Sequence, residues 1–154
     1  MFATIRMVTD RLDEDGFTLV ELLVVMLVIG LLAAIAIPAF FNQSQKAQDA
    51  KAKSNVRQLA EMIEQCRVEQ PNYSLCDEAS ELKNAGNLTF GTSGGEVGVI
   101  ADANGYTAYA ISEAKTNNLN HVFGWQRSGD TVSRICVNLA MQPLNGGGCI
   151  NSTW

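Results

Sequence analysis

The sequence is poor in the residues from which metal sites and catalytic sites are built. It contains a single histidine, His121, and its four cysteines include no Cys-x-x-Cys pair, so a zinc site has no recognisable ligand set. No serine or cysteine stands beside His121 in a known nucleophile motif, and the glycines at 146–148 are not followed by the Lys-Ser/Thr of a phosphate-binding loop. We therefore expect a protein that is not an enzyme and that carries no cofactor and no metal.

Positive charge is also scarce. Eleven Lys and Arg residues stand against 16 Asp and Glu residues, which gives a net charge of −5. Residues 1–16 hold two arginines and four acids, so 9 basic and 12 acidic side chains follow them, a net charge of −3. Non-specific binding of nucleic acid depends on Lys and Arg that contact phosphates. No nucleic-acid partner is therefore evident from composition.

Charge is almost absent from one stretch of the chain. Between Phe17 and Phe41 the only charged side chain is Glu21. A helix of that length rises roughly 37 Å, more than the about 30 Å of a bilayer's hydrocarbon core. The pattern predicts a membrane-spanning helix. The alternatives are an ordinary signal anchor and a secretory signal cleaved after the small residues at 34–36, although the run is long for the latter.

Two features of this stretch depart from a plain membrane anchor. Glu21 lies about 6 Å along the helix from Phe17, where an unpaired carboxylate in lipid would cost a few kcal/mol. It therefore needs a partner. Pro38 removes one helical N–H group and Gly30 adds backbone freedom, so this half of the helix is predicted to bend or loosen.

The string GFTLVELL, residues 16–23, resembles the prepilin cleavage and methylation motif of type IV pilins and of the pseudopilins of type II secretion and DNA-uptake machines. The resemblance runs from about residue 15 to residue 41 and includes Gly30 and Pro38 at the family's spacings. It implies cleavage after Gly16 by a prepilin peptidase, N-methylation of Phe17, and an ion pair between Glu21 and the Phe17 amine of a neighbouring subunit. The acids at 13–15 depart from the basic residue that many members carry there.

The resemblance also implies a function. The chain would be a structural subunit of a type IV pilus-like surface filament, held in the cytoplasmic membrane as a precursor and then exported into the filament. Its partners would be the prepilin peptidase and methyltransferase, an inner-membrane assembly platform, and further copies of itself in a helical homopolymer. Two alternatives stay open: a major pseudopilin of a type II secretion or competence system, and a membrane-anchored binding module that does not assemble. Orientation rests on the resemblance, because the lysines and arginine at 46–57 outnumber those of the leader.

Residues 42–70 are predicted to continue the helix as an amphipathic segment. Apolar residues recur at steps of four, three, four and three, as expected for one face of a helix: Ala52, Val56, Leu59, Ile63 and Cys66. Together with residues 17–41 this makes a helix of about 75 Å, which suits a filament core. Pro71 is predicted to end it.

The remainder is predicted to be a small antiparallel sheet. Residues 71–95 form a connection with a short helix at 77–83, capped by Ser74 and closed by Gly86. Within 96–154, strands are predicted at 96–101, 106–112, 121–127 and 131–138, with turns between them that include the polar stretch 113–118. The fold class is α+β, a long N-terminal helix packed on a β-meander as in type IV pilins, with 1–16 as a leader peptide. The alternation around Tyr106 and Tyr109 leaves the buried face undecided.

All four cysteines follow the apolar run. If this part is exported it meets an oxidising compartment, so Cys66, Cys76, Cys136 and Cys149 are expected to form disulfides. Three pairings are possible, and local closure favours Cys66 with Cys76 and Cys136 with Cys149, the second fastening the C-terminal loop. Side chains at 102, 104 and 130 carry oxygens that suit calcium, but ordinary turn chemistry is the better interpretation.

Overall fold

A computed structural model describes residues 16–82 and 85–154. Its elements in chain order are α1 (Leu19–Glu69), β1 (Val97–Ala101), β2 (Gly105–Thr116), β3 (Leu119–Ser128) and β4 (Thr131–Asn138). Most of the predicted leader, residues 1–15, lies outside the described residues. The chain divides into two compact units, the first ending at Ala39 and the second running from Phe40 to Trp154.

The described part of the first unit is an apolar helix whose side chains are not covered by other described residues. From Phe17 to Ile37 every large apolar side chain is at least 46% exposed. The part of α1 in this unit is long and apolar enough to cross a membrane, and none of that window is buried. The predicted apolar helix is confirmed, and it continues without interruption through Gly30 and Pro38.

The second unit holds a sheet in the order β1-β2-β3-β4, with every neighbouring pair antiparallel. This confirms the predicted meander. One face of the sheet packs on the second half of α1, whose apolar stripe is buried along its whole length: Ala52, Val56, Leu59, Ile63 and Cys66. Helix α1 ends at Glu69, two residues before Pro71, because a proline excludes helical geometry from the residue before it.

The structure decides which face of β2 is buried, a point that the alternation of side chains leaves open. Tyr106, Ala108 and Ala110 belong to the core beneath α1. Tyr109 and Ile111 lie on the opposite face, where Ile111 is also buried but outside that core. Because both sets of side chains are largely apolar, only the position of α1 separates them.

The helix predicted at 77–83 is wrong as far as the described residues, 77–82, show. They form turns, and the helical structure of this connection is two short 3-10 segments at Tyr73–Leu75 and Ala85–Asn87. Ser74 does not cap a helix, because its hydroxyl donates to the Asn72 side chain. The preceding Cys76 is bonded to α1. This bond holds the chain in a turn where a helix would have to begin.

The turn predicted at 113–118 is also wrong in its extent. Strand β2 continues to Thr116, and β3 already begins at Leu119. Only Asn117 and Asn118 form the turn, with φ of 51° and 65°. Two successive positive φ values match the twist of the flanking strands, and asparagine tolerates them. The polar side chains of 113–116 belong to a strand end.

Candidate functional site

The candidate assembly site is the start of α1. Gly16 is exposed, Phe17 is 87% exposed, and both precede the first helical residue, Leu19. Neither the Phe17 ring nor the backbone at Gly16 is covered by other described residues. A peptidase would therefore act on a Gly16–Phe17 bond that lies just before the start of helix α1 and not within it.

Thr18 and Glu21 form a reciprocal cap at this helix start. The Thr18 N–H and hydroxyl donate to Glu21 Oε2 at 3.0 and 2.8 Å, and the Glu21 N–H donates to Thr18 Oγ1 at 3.2 Å. This is a capping box, which satisfies N–H groups that the first helical turn leaves without partners. The sequence contains the signal for this capping box, Thr-x-x-Glu before an apolar run, although no cap was predicted from it. Glu21 thus has a partner within its own chain.

Gly30 and Pro38 both lie inside α1. The space around Gly30 is open within 4 Å of where a Cβ would stand. Helix α1 is continuous at both positions. The loosening that their chemistry predicts stays a prediction.

Two disulfides fasten the second unit. Cys66 on α1 is bonded to Cys76 in the following loop, and Cys136 on β4 is bonded to Cys149 in the C-terminal segment. These are the two pairings that local closure favours. One bond secures the connection between helix and sheet, and the other holds the C-terminal segment against the last strand.

A buried polar row joins α1 to the sheet at His121. Both carboxylate oxygens of Asp49 lie 3.0 Å from His121 Nδ1, and Thr116 Oγ1 lies 2.8 Å from Nε2. Asp49 and His121 are each only 3% exposed. From the sequence, His121 is expected to be a structural or surface residue, with no link to Asp49, which is 72 residues away. No sequence signal pairs them, because only the packing of α1 on β3 brings them together.

The glycine-rich segment after Leu144 closes over this row. Gly147 has a φ of +60°, and a Cβ at this position would collide with the Asp49 carboxylate. Lys53 Nζ donates to the Gly147 carbonyl at 2.7 Å. Burial lowers the pKa of Lys53, an effect that the charge of Asp49 partly offsets. The glycines are thus required by close packing. The sequence pattern predicted only a loop here.

A second polar cluster centres on Glu64 of α1. Its Oε1 accepts from Tyr106 OH at 3.0 Å and from Arg127 Nε at 2.6 Å, and its Oε2 accepts from Tyr73 OH at 3.1 Å. Burial, reinforced by the hydrogen bond to Glu64, raises the pKa of Tyr106 far above its usual value, and the pKa of Tyr73 in the same direction. The cluster ties the helix to the sheet and to the loop that follows α1.

The turn that was considered for calcium uses its oxygens locally. Asp102 Oδ1 accepts the backbone N–H groups of Asn104 and Gly105 at 2.7 and 2.8 Å. Within residues 16–82 and 85–154, no three His, Cys, Asp or Glu side chains are grouped so that they could hold a metal ion. The geometry at Asp102 is that of an Asx turn.

Comparison with known proteins identifies relatives of the whole chain. The family model for the prokaryotic N-terminal methylation motif matches residues 11–37. The chain is 31% identical over 136 residues to prepilin peptidase-dependent protein D of Escherichia coli (strain K12), covering 85% of this chain and 93% of that protein. It is 29% identical over 145 residues to type IV major fimbrial protein FimA of Dichelobacter nodosus, covering 88% and 86%.

A third relative matches over about half of each chain. Type II secretion system core protein G of Pseudomonas aeruginosa is 27% identical over 71 residues, which is 46% of this chain and 50% of that protein. No solved structure matches the chain at a comparable level of significance.

Proposed function

The chain belongs to the type IV pilin family, and from this premise we propose that it is a structural subunit of a type IV pilus-like filament. It is inserted in the membrane as a precursor and assembled through its N-terminal helix. The role is structural and not catalytic. The observation that carries the proposal is that the large apolar side chains from Phe17 to Ile37 are exposed, whereas the second unit buries its own core. Such a helix is stable only in lipid or among other copies of itself.

Processing and methylation would act on the exposed start of the helix. In this proposal Gly16 is the residue recognised by the prepilin peptidase, and cleavage after it frees the amine of Phe17 for methylation. The family model that covers residues 11–37 supports this step. Residues 1–16 would then be the leader, and the exported chain would begin at Phe17.

Glu21 would neutralise the Phe17 amine of a neighbouring subunit during assembly. Its capping bonds do not prevent this, since both Thr18 donors go to Oε2. No described residue donates to Oε1, so that oxygen can accept from a neighbour while the cap stays in place. The pairing would offset the cost of a carboxylate in an apolar surround. Gly30 and Pro38 would let the helix loosen once neighbouring subunits supply partners for its backbone.

A pseudopilin of a type II secretion system is the second candidate. The match to core protein G favours it, but that match covers about half of each chain. The two relatives that match more than four fifths of their own length are a major fimbrial protein and prepilin peptidase-dependent protein D. Extended similarity therefore favours the pilus subunit over the pseudopilin. A membrane anchor that never assembles would need Glu21 only for the Thr18–Glu21 cap.

The test is to shear cells and determine the mass of the released protein. We expect a chain that begins with N-methylated Phe17 and is two hydrogens lighter for each disulfide. Glu21→Gln should leave the precursor inserted and should strongly reduce the released fraction. Glu61→Gln, an exposed glutamate on the second half of the same helix, is the matched control and should leave release unchanged.

Four outcomes would contradict the proposal. An intact Met1 would exclude processing, and a start near residue 37 would indicate a secreted domain. Normal release of Glu21→Gln would remove Glu21 from assembly. Protein that stays with the membrane after shearing would support the non-assembling anchor.

A further inference from the structure

The second unit carries a cluster of cations and tryptophans beside α1, formed by Lys53, Arg57, Trp125, Arg134 and Trp154 and called here the cationic tryptophan patch. Arg57 Cζ lies 5.0 Å from the centroid of the Trp154 ring, and Arg134 Cζ lies 5.6 Å from the same ring. Arg134 is also 5.8 Å from the Trp125 ring. Both distances to Trp154 are within the range of cation–π attraction.

The indole of Trp154 is held firmly in this patch. Its Nε1–H donates to the Gly124 carbonyl at 3.3 Å, and its ring meets Phe123 and Trp125 edge-on at 6.1 and 6.2 Å. A guanidinium that stacks on a fixed ring loses less freedom when it binds a further group. The patch is therefore pre-organised to receive an anion.

The two arginines lack carboxylate partners within the part of the chain that the structure describes. Both side chains are exposed, and their contacts among residues 16–82 and 85–154 are the cation–π contacts with tryptophan. Arg127 differs, because Glu64 neutralises it at 2.6 Å. Planar guanidinium groups with free N–H donors match the geometry of carboxylates. Arg57 and Arg134 thus form a carboxylate-binding surface that is unfilled within one subunit.

The same chain carries a complementary acidic segment in the loop between α1 and β1. Asp77, Glu78 and Glu81 lie there, and the one basic residue between 71 and 95 is Lys83, which leaves a net charge of −2. Both glutamates are exposed. The Glu78 N–H donates to Glu81 Oε2 at 3.2 Å, so the two carboxylates share one turn. We call residues 77–81 the acidic loop.

The acidic loop is held at both of its ends. Its start is bonded to α1 through Cys66 and Cys76. Leu82, the residue after Glu81, is 5% exposed and belongs to the core. An anchored loop presents its charges at small entropic cost when it binds.

The two surfaces lie at different places on the second unit. The acidic loop follows Cys76, which is bonded to α1 at Cys66, and precedes β1, whereas Arg134 lies on β4, the last strand in the order β1-β2-β3-β4. Complementary surfaces at different places on one molecule give a head-to-tail contact, which repeats without closing unless the rotation makes a ring. We propose that the cationic tryptophan patch of one subunit docks the acidic loop of a second copy of this chain. This inference rests on the proposed filament and names the contact between its globular domains.

Nucleic acid is a weaker candidate for the patch. The chain carries a net charge of −5, and Glu61 and Glu64 line the groove that also holds Arg57 and Trp125. These carboxylates oppose a polyanion that spans several phosphates. A short acidic loop can contact Arg57 and Arg134 without approaching the carboxylates of Glu61 and Glu64.

The experiment exchanges the charges of the two surfaces in the full-length chain and measures filament protein sheared from cells. Arg134→Glu is expected to lower the sheared yield roughly threefold or more, since a lost ion pair recurs at every subunit. The double variant Glu78→Arg, Glu81→Arg should lower it likewise. Combining all three substitutions should restore much of the yield. Lys115→Glu makes the same charge change at an exposed lysine of β2 outside the patch and should have no effect.

Arg134→Glu could lower the yield by unfolding the domain. The acidic-loop variants control for this, because Glu78 and Glu81 are exposed and their hydrogen bonds within the described residues join them only to each other. A yield that stays normal in both the Arg134 variant and the loop variants would overturn the inference. Loss in each without recovery in the combined variant would also overturn it.

The outcome is distinguishable from a failure of the proposed function. If the wild-type chain is not cleaved before Phe17 and not released by shearing, the filament itself is excluded. If wild-type filaments form and bind duplex DNA, and Arg134→Glu abolishes that binding at unchanged yield, the patch is a nucleic-acid site and the docking proposal is wrong.

Discussion

The two units of the chain treat the same kind of side chain in opposite ways. Ile35 and Ile63 lie on one continuous helix, yet Ile35 is 76% exposed and Ile63 is 0% exposed. In the second unit a sheet covers the helix and completes a core. In the first unit none of the described residues covers the helix. A helix can therefore be self-sufficient over one half and depend on lipid or further copies over the other.

The units also differ in how polar groups hold them. In the second unit, two disulfides, the Asp49–His121 pair and the Glu64 cluster connect helix, loop and sheet. In the first unit, the side-chain bonds within the described residues are those of the Thr18–Glu21 cap. The second unit is thus expected to fold alone. The helix of the first unit depends on lipid or on further copies of the chain around it.

The sharpest test of this contrast is a pair of identical substitutions. Ile63→Ala should lower the free energy of unfolding of the second unit by about 4 kcal/mol, since it opens a cavity in a closed core. Ile35→Ala should leave that free energy unchanged. Both variants are measured by urea unfolding of the full chain in detergent, followed by the fluorescence of Trp125 and Trp154, which both lie in the second unit. Equal effects of the two substitutions would refute the comparison.

Breaking the buried row at His121 should have the next largest effect. Asp49→Ala leaves Nδ1 of the buried His121 imidazole without its carboxylate partner. We expect this to destabilise the second unit by about 3 kcal/mol. Asp130→Ala, at an exposed aspartate in the β3–β4 turn, is the control and should change little. The same urea titration measures both. An unchanged free energy of unfolding in Asp49→Ala would mean that the Asp49–His121 pair does not stabilise the packing of α1 on the sheet.

The smallest expected effect concerns alkaline pH. The pKa of Tyr106 is raised in the folded state, so its stabilising contribution is complete below the unfolded pKa of about 10 and is lost as pH rises toward the folded value. The second unit should therefore lose stability above about pH 10. Tyr106→Phe should weaken that dependence, and Tyr109→Phe, on the other face of the sheet, is the matched control. Unfolding midpoints measured between neutral and alkaline pH would decide, and an unchanged pH dependence in Tyr106→Phe would contradict the raised pKa of Tyr106.

Much of the fold could be predicted because its signals are local. The apolar run, the stripe from Ala52 to Cys66 and the limits of β4 depend on side chains within a few residues of each other. The misplaced helix at 77–83 shows the limit of that reasoning. Its capping pattern was present, but the bond from Cys76 to Cys66 overrides local preference.

The candidate site divides in the same manner. The positions of Gly16, Phe17 and Glu21 follow from a contiguous motif, and so does the Thr18–Glu21 cap, although its signal was overlooked. The pairing of Asp49 with His121 has no counterpart in the sequence, since the two residues are 72 positions apart. The need for glycine at 147 could not be predicted either, because it arises only where the loop passes over Asp49.

The sequence by itself determined the elements, the apolar N-terminal helix and the family motif, because hydrophobic periodicity and short motifs act over neighbouring residues. Only the tertiary structure decided which face of β2 lies under α1, which distant polar groups meet, and that Arg57 and Arg134 share one indole. These features depend on packing between elements far apart in the chain. A one-dimensional pattern does not specify which of two comparable faces turns inward.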